Sequence, residues 1–306
     1  FWRMNFSGAS GGWVVNQALT VGENFLPSAG TVSGTSNVTV NGTTTAGTGS
    51  IAMTGGTFTL ANGGTFGGNN NWSFNNLTFG NGTTATTTKT GSSTVTIAGL
   101  LTDSASHTFQ AGTSTTWVLS GVGTPLVLSG TFTVQNALFR YASNGATNVT
   151  PASYAQLDFG ALGATSPVYT MLAGTFSVGS TFNVGVVATN TVTVNANTND
   201  PTLTLSGNVN IVASSTFILS DSGALTARRN WTNAGTTTPS GGTVTFDATT
   251  TGFTISTGAS PFANVVFNNA SGGWTIASNA TATANLSLAA LAAFTQSPNT
   301  TLEIGG

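Results

Sequence analysis

The side chains that could do acid–base chemistry are few and lie far apart along the chain. The 306 residues include 7 acids, 5 basic residues and 1 histidine, and no cysteine. Cleavage of a sugar polymer needs two carboxyl groups held a few ångströms apart, and no two of these acids are close neighbours in the sequence. We therefore expect each acid to be a solvated turn residue. The acids are Glu23, Asp103, Asp158, Asp200, Asp221, Asp247 and Glu303.

Other catalytic and metal-binding chemistry has equally little support. The single His107 is expected on the surface, because nothing around it indicates a Ser-His-Asp triad. A zinc site needs several His or Cys ligands, which the chain lacks. The stretch Gly63–Gly68 contains no acid and so departs from the calcium-binding repeat Gly-Gly-x-Gly-x-Asp. We therefore expect a protein that is not an enzyme and that holds no metal ion or cofactor.

The charge of the chain argues against two classes of partner. Lys and Arg number 5, and the net charge is −2. Nucleic-acid binding depends on clustered basic residues that neutralise phosphates, whereas the only adjacent pair is Arg228 and Arg229. No apolar run approaches the roughly 18 residues that a membrane-spanning helix needs. We expect neither nucleic acid as a partner nor insertion into a membrane. Among the charges, pairing between strands could bring Asp221 near Arg228.

The elements that carry these residues are predicted to be short strands. A Thr-apolar-Thr-apolar pattern recurs, and its period of two is typical of strands with one buried face. Clusters of Gly, Asn and Ser between the copies supply turn positions. Thr, Gly and Asn are poor helix formers, and the one helix-tolerant stretch, Leu286–Phe294, aligns with strand-like sequence elsewhere. The copies begin at Thr57, Thr94, Thr131, Thr191, Thr202 and Thr243.

The opening of the chain recurs near its end, so that residue n matches residue n + 261. Both copies place Phe, then Ala-Ser-Gly-Gly, then Trp at the same spacing. Weaker copies begin at Phe74 and Tyr154, each with a Phe five positions later. Self-similarity at long range predicts stacked repeats. We expect one elongated domain over residues 1–306, with internal repeats that begin near residues 1, 74, 154 and 262.

These patterns predict an all-β fold, and within that class a β-solenoid of stacked rungs. Rungs of about 20–25 residues would stack inward Val, Ile, Leu and Phe in columns, and outward Thr and Asn in ladders. The scarcity of charge fits a chain in which much of the side-chain surface faces neighbouring rungs. The alternative is a tandem array of β-sandwich domains with boundaries near residues 73 and 153.

Three segments resemble the degenerate repeats of large bacterial surface and secreted β-helix proteins. They are Asn230–Gly235 (Asn-Trp-Thr-Asn-Ala-Gly), Gly242–Asp247 (Gly-Thr-Val-Thr-Phe-Asp) and Phe262–Asn269 (Phe-Ala-Asn-Val-Val-Phe-Asn-Asn). The family repeats read W-T-N-x-G-T-F-T, G-T-V-T-F-x-G and F-x-N-L-T-F-N-N. The resemblance implies a secreted, adhesin-like or appendage-forming β-helix at the cell surface, without catalytic residues. The spacing between Tyr154 and Phe262 is less regular than in the family.

Two surface functions compete with a purely structural role of the side chains. Regular Thr ranks resemble those of ice-binding proteins, but the intervals here are irregular after residue 134, so we interpret Thr as an ordinary strand former. Tryptophans such as Trp72, Trp117 and Trp231 could stack on sugars. The recurrence of Trp13 as Trp274 favours core or corner packing instead.

The ends of a solenoid are open sheet edges that need caps, and the sequence contains no charged or helical cap. We expect either a window of a longer rod or ends that pair with other copies by strand addition. The sequence thus predicts a structural subunit of an extracellular filament or surface appendage, which self-associates into a homopolymer. The alternatives are an adhesin stalk segment that binds glycans or a surface and, third, a glycan-cleaving enzyme. The predicted assembly interface consists of Phe1, Phe6, Trp13, Phe262, Phe267 and Trp274.

Overall fold

The computed structural model describes residues 1–163, 165–186 and 191–305. These residues form 36 strands, with no helix among them. Strands of successive turns pair in parallel, which makes the fold a β-solenoid of about 13 turns. The predicted fold class is confirmed. The tandem-sandwich alternative is wrong, because parallel pairing between turns continues through residue 73, where a domain boundary was expected.

The chain divides into two compact units, Phe1–Ala142 and Ser143–Gly306, which are described separately. The sequence predicts one elongated domain, and that stays a prediction. Its four repeat starts occupy different places in the coil. Phe1 precedes the first strand, Phe74 ends a short strand, and Tyr154 and Phe262 lie in long strands.

The first unit has three faces, and each turn contributes one strand to each face in order. The first face holds β1 Met4–Phe6, β4 Phe25–Pro27, β7 Thr44–Ala46, β10 Gly64–Gly67, β13 Ala85–Thr90, β16 His107–Gln110 and β19 Thr131–Thr133. The second holds β2 Gly12–Val15, β5 Thr31–Gly34, β8 Ser50–Met53, β11 Trp72–Phe74, β14 Thr94–Ile97, β17 Thr116–Leu119 and β20 Leu138–Tyr141. The third holds β3 Leu19–Val21, β6 Val38–Val40, β9 Thr57–Leu60, β12 Asn76–Phe79, β15 Leu101–Asp103 and β18 Leu126–Leu128.

Alternating burial explains why the Thr-apolar pattern forms these strands. In β9, Phe58 and Leu60 are buried while the two threonines between and before them face outward. Buried phenylalanines of successive turns then meet, as Phe58 does with Phe25 at 5.4 Å and with Phe74 at 5.3 Å between ring centroids. Full burial of each such ring contributes roughly 1.5–3 kcal/mol. The core is thus a continuous stack of apolar side chains, as the sequence predicts.

The second unit keeps one face of short strands. The short strands are β21 Thr147–Val149, β23 Val168–Met171, β25 Thr193–Asn195, β28 Thr216–Ile218 and β31 Thr236–Thr238. The other strands are β22 Ser153–Phe159, β24 Thr175–Val184, β26 Thr202–Leu205, β27 Asn208–Ile211, β29 Leu225–Ala227, β30 Trp231–Asn233, β32 Thr243–Phe246, β33 Phe253–Ser256, β34 Phe262–Ile276, β35 Ala280–Gln296 and β36 Leu302–Ile304. In this second set the strands are either short or, in β22, β24, β34 and β35, 7 to 17 residues long. The helix-tolerant stretch 286–294 is therefore part of a strand, as its alignment indicates.

Outward polar side chains form ladders from turn to turn. In the second unit, the Asn210 amide donates to Asn183 Oδ1 at 2.8 Å, and the Asn183 amide donates to Asp158 Oδ1 at 2.6 Å. Asp158 lies in β22 and is only 4% exposed, so the expectation of a solvated turn acid was wrong for it. In the first unit, threonines hold one register position through five turns of the third face. They are Thr20, Thr39, Thr59, Thr78 and Thr102. The Asn–Asn hydrogen bond and the aligned threonines match the predicted ladders of Asn and Thr.

Candidate assembly surfaces at the first and last turns

Both copies of the long-range repeat form the same aromatic contact. Phe6 ends β1 and Trp13 lies in β2, with 5.3 Å between their ring centroids. Phe267 and Trp274 both lie in β34, with 6.2 Å between theirs. The chain turns between β1 and β2 in the first copy, and in the second the register of β34 against β35 shifts within the same segment. The repeat therefore encodes a corner with a Phe–Trp contact inside it.

The two copies differ in how much of the corner is covered. Phe262, Phe267 and Trp274 are all at most 3% exposed, because β35 pairs along β34 and closes over them. In the first copy Phe6 is buried, Trp13 is half-buried and Phe1 is 81% exposed. The second copy therefore supplies core on this chain, and the surface next to it belongs to β35. The participation of all six residues in assembly stays a prediction.

The last long strand, β35, is paired along only one of its two edges for most of its length. On one side it follows β34 from Ala282 to Gln296. On the other side, within the described residues, β36 pairs with Ala280–Ala282 alone. Leu288 is 50% exposed there, although its register partner Phe267 is buried. Asn285–Gln296 is thus an open edge with apolar side chains that the next turn would bury.

The first turn of the first unit also has strands that are paired along one edge. Among the described residues, β1 pairs with β4 and β2 pairs with β5, each along one edge. Apolar side chains are exposed here too, since Trp2 is 73% and Val14 62% exposed. Because each of these pairs is parallel, a strand of a second copy could continue either ladder by parallel pairing.

A buried polar network in the first unit corrects the expectation for His107. His107 begins β16 and is fully buried, and its Nδ1 lies 2.6 Å from Oδ1 of Asp103, which is also fully buried. The Nε2 atom lies 3.0 Å from the hydroxyl of Thr87 in β13. The expectations that His107 lies on the surface and that Asp103 is solvated were wrong, because a tight turn between β15 and β16 aims both side chains inward. Ser106 in that turn has φ of 64°.

The order carboxylate, imidazole, hydroxyl matches that of a catalytic triad, but Thr87 is fully buried. No substrate can reach its hydroxyl in this conformation. The arrangement therefore acts as an internal polar clamp between neighbouring turns. Removal of the imidazole would leave the Asp103 carboxylate buried without its partner, which is a costly state. Its other oxygen, Oδ2, already has no hydrogen-bond partner among the described residues.

Lys89, two residues after Thr87 in β13, is the buried basic side chain of this unit. It is 3% exposed, and its ammonium donates to the carbonyl oxygens of Thr90 at 2.5 Å and Gly91 at 3.2 Å. No carboxylate is among these partners. Burial lowers the pKa of Lys89 from 10.5 to about 8, because desolvation disfavours the charged form.

The acids of the second unit pair differently from the expectation. Arg228 lies 3.3 Å from Asp247 Oδ2 rather than beside Asp221. Asp200 accepts hydrogen bonds from the Ser220 hydroxyl at 2.6 Å and from the Asp221 backbone at 3.2 Å, and the first of these is the main cause that lowers the pKa of Asp200. Within the described residues, no group of three or more acids and histidines could hold a metal ion.

The fold defines the class of the protein as a parallel β-solenoid of about 13 turns. No family model matches the chain, and neither the curated proteins nor the solved structures contain a match. In the part of the chain that the structure describes, no helix has the length and apolar character to cross a bilayer.

Proposed function

We propose that the chain is a structural subunit of an extracellular filament or surface appendage, in which copies join through their solenoid ends by β-strand addition. The observation that carries this proposal is the open apolar edge Asn285–Gln296 of β35, next to the second copy of the sequence repeat. A strand that paired there would extend the backbone ladder by one turn and bury Leu286, Leu288 and Phe294.

The proposed work is mechanical and needs no catalytic step. Backbone ladders that continue across the junction would make the filament stiff, because every turn is hydrogen-bonded to the turns before and after it. The low charge supports close packing, since copies with a net charge of −2 repel each other weakly. The resemblance to secreted bacterial repeat proteins favours a location outside the cell.

Electron microscopy of the purified 306-residue chain tests the proposal, with Leu288→Lys as the key variant. The native chain should form filaments, and a charge at position 288 should shorten or abolish them, because burial of an unpaired ammonium is costly. Leu162→Lys is the matched control, since Leu162 is 63% exposed against 50% for Leu288. Native chains that remain single particles at all concentrations would refute the filament, as would equal effects of the two variants.

An adhesin stalk segment is the second candidate, and the exposed aromatic side chain of Trp2 favours it. Trp2 is 73% exposed and borders an open pocket with Glu23, Asn24 and Asn41. An aromatic ring beside amide and carboxylate groups suits the apolar face and hydroxyls of a sugar. A glycan array would test it: a sugar bound by the native chain and lost in Trp2→Ala would support the adhesin. Binding that survives this substitution would count against it.

A further inference from the structure

The sequence repeat also specifies a register for the junction, an inference that rests on the proposed function. We infer that the partner on the open edge of β35 is the first turn of a second copy, with Met4–Phe6 beside Leu286–Leu288 and Trp13 beside Phe294. Two relations within the chain set this register: the sequence match of the first turn to β34, and the strand register of β34 on β35.

The match n + 261 equates Met4, Phe6 and Trp13 with Val265, Phe267 and Trp274. In the structure, Val265, Phe267 and Trp274 lie beside Leu286, Leu288 and Phe294 of the next turn. A first turn that repeats the sequence of β34 can therefore occupy the other edge of β35 at the same positions. The turn lengths agree, because the Trp follows the Phe by seven positions in both copies.

The inward and outward faces agree as well. Met4 and Phe6 share register with Phe25 and Pro27, both buried, so they point toward the core. On β35 the facing positions are Leu286 and Leu288, whose register partners Val265 and Phe267 are buried. Asn5, which is exposed, would face exposed Ser287. A shift of one residue would turn every apolar side chain of one copy outward, so a two-sided match of this kind fixes register strongly.

The open edge has room for this strand. β36 pairs with Ala280–Ala282, so the positions from Leu286 onward are not covered by it. Gly305 continues this pairing, since its N–H donates to the Ala282 carbonyl oxygen at 2.9 Å, which places it beside Thr283. Counted back from Met4 beside Leu286, Phe1 would fall beside Thr283 as well, so Phe1 of the second copy has to leave the edge at that point. The two strands themselves, β36 of one copy and Met4–Phe6 of the next, would thus lie along the same edge at separate positions.

Disulfide cross-linking of double-cysteine variants tests the register, since the native chain has no cysteine. Two matched pairs are predicted, Asn5→Cys with Ser287→Cys and Val14→Cys with Thr295→Cys. The mismatched pairs, Asn5→Cys with Thr295→Cys and Val14→Cys with Ser287→Cys, use the same four positions. Adjacent strands lie about 4.8 Å apart, within the span of a disulfide. The matched variants should form intermolecular disulfides at least about tenfold more than the mismatched ones, since mismatched cysteines lie beyond that span.

The outcomes separate the register from the filament itself. Filaments with disulfides in both matched pairs would support the inference. Filaments whose mismatched pairs cross-link equally well, or whose matched pairs do not cross-link, would overturn the register and leave the proposed filament standing. Chains that neither form filaments nor cross-link would overturn both. Circular dichroism of the reduced variants would verify that each keeps its β structure.

Discussion

At the scale of single residues, acidic, basic and His side chains are rare, yet three of them are buried in the first unit. At these side chains the structure differs most from the sequence-based expectations. Asp103, His107 and Lys89 are each at most 3% exposed. The available sequence signal was the spacing of four residues between Asp103 and His107. It could not be interpreted without the turn, since on an extended strand that spacing would put the two side chains more than 10 Å apart, at about 3.3 Å per residue.

Lys89 should make the stability of the first unit depend on pH in the alkaline range. The folded protein releases the ammonium proton at a pKa of about 8, whereas the unfolded chain keeps it up to 10.5. Between these values the unfolded state binds more protons, so stability rises with pH and levels off above the unfolded pKa. The difference corresponds to at most about 3 kcal/mol.

Urea unfolding of the native chain and of Lys89→Met between pH 7 and 10 measures this effect. The variant should be the more stable of the two at pH 7, and its advantage should shrink as the pH rises. Arg3→Met serves as the control, since the guanidinium does not titrate in this range. A difference between native chain and Lys89→Met that stays constant from pH 7 to 10 would show that burial of Lys89 carries no such penalty.

At the scale of elements, the sequence predicts most of what the structure contains. Alternation predicts the strands, and the recurrence of Trp13 as Trp274 predicts core or corner packing, which both residues show in their contacts with Phe6 and Phe267. What it could not predict is the register of one turn on the next. That register depends on loop lengths, which differ between turns: Thr57 pairs with Asn76, 19 residues on, whereas Leu101 pairs with Leu126, 25 residues on.

Tight stacking of turns should make certain glycines irreplaceable. A Cβ atom added to Gly207, between β26 and β27, would lie 1.4 Å from the carbonyl oxygen of Ser180 in β24. Gly207→Ala must therefore push two turns apart, and we expect a loss of about 3 kcal/mol in the free energy of unfolding. Gly179→Ala is the matched control from the same unit, because its nearest atom would be 3.7 Å away. Chemical unfolding of both variants decides: equal stabilities would contradict the packing of these turns.

At the scale of the whole molecule, the low charge has a consequence for assembly. Charged residues make up 4% of the chain, and the side chains inferred to meet at the junction are apolar, among them Phe6, Trp13, Leu288 and Phe294. Salt screens charges over a Debye length of about 10 Å at 0.1 M but leaves apolar burial intact. The concentration of chain needed for filament growth should therefore change less than about twofold between 50 and 500 mM NaCl, since exposed ion pairs contribute little.

Arg3 and Glu303 provide the contrasting case, because both are exposed and lie in the first and last turns. If attraction between such charges held the junction together, filaments would dissolve at high salt, and Arg3→Ala would weaken them as much as Leu288→Lys does. Light scattering across the salt series, on the native chain and on both variants, distinguishes the two mechanisms. An apolar junction requires that Leu288→Lys is severe at every salt concentration and that Arg3→Ala is mild, because only the former places a charge where the next turn would bury it.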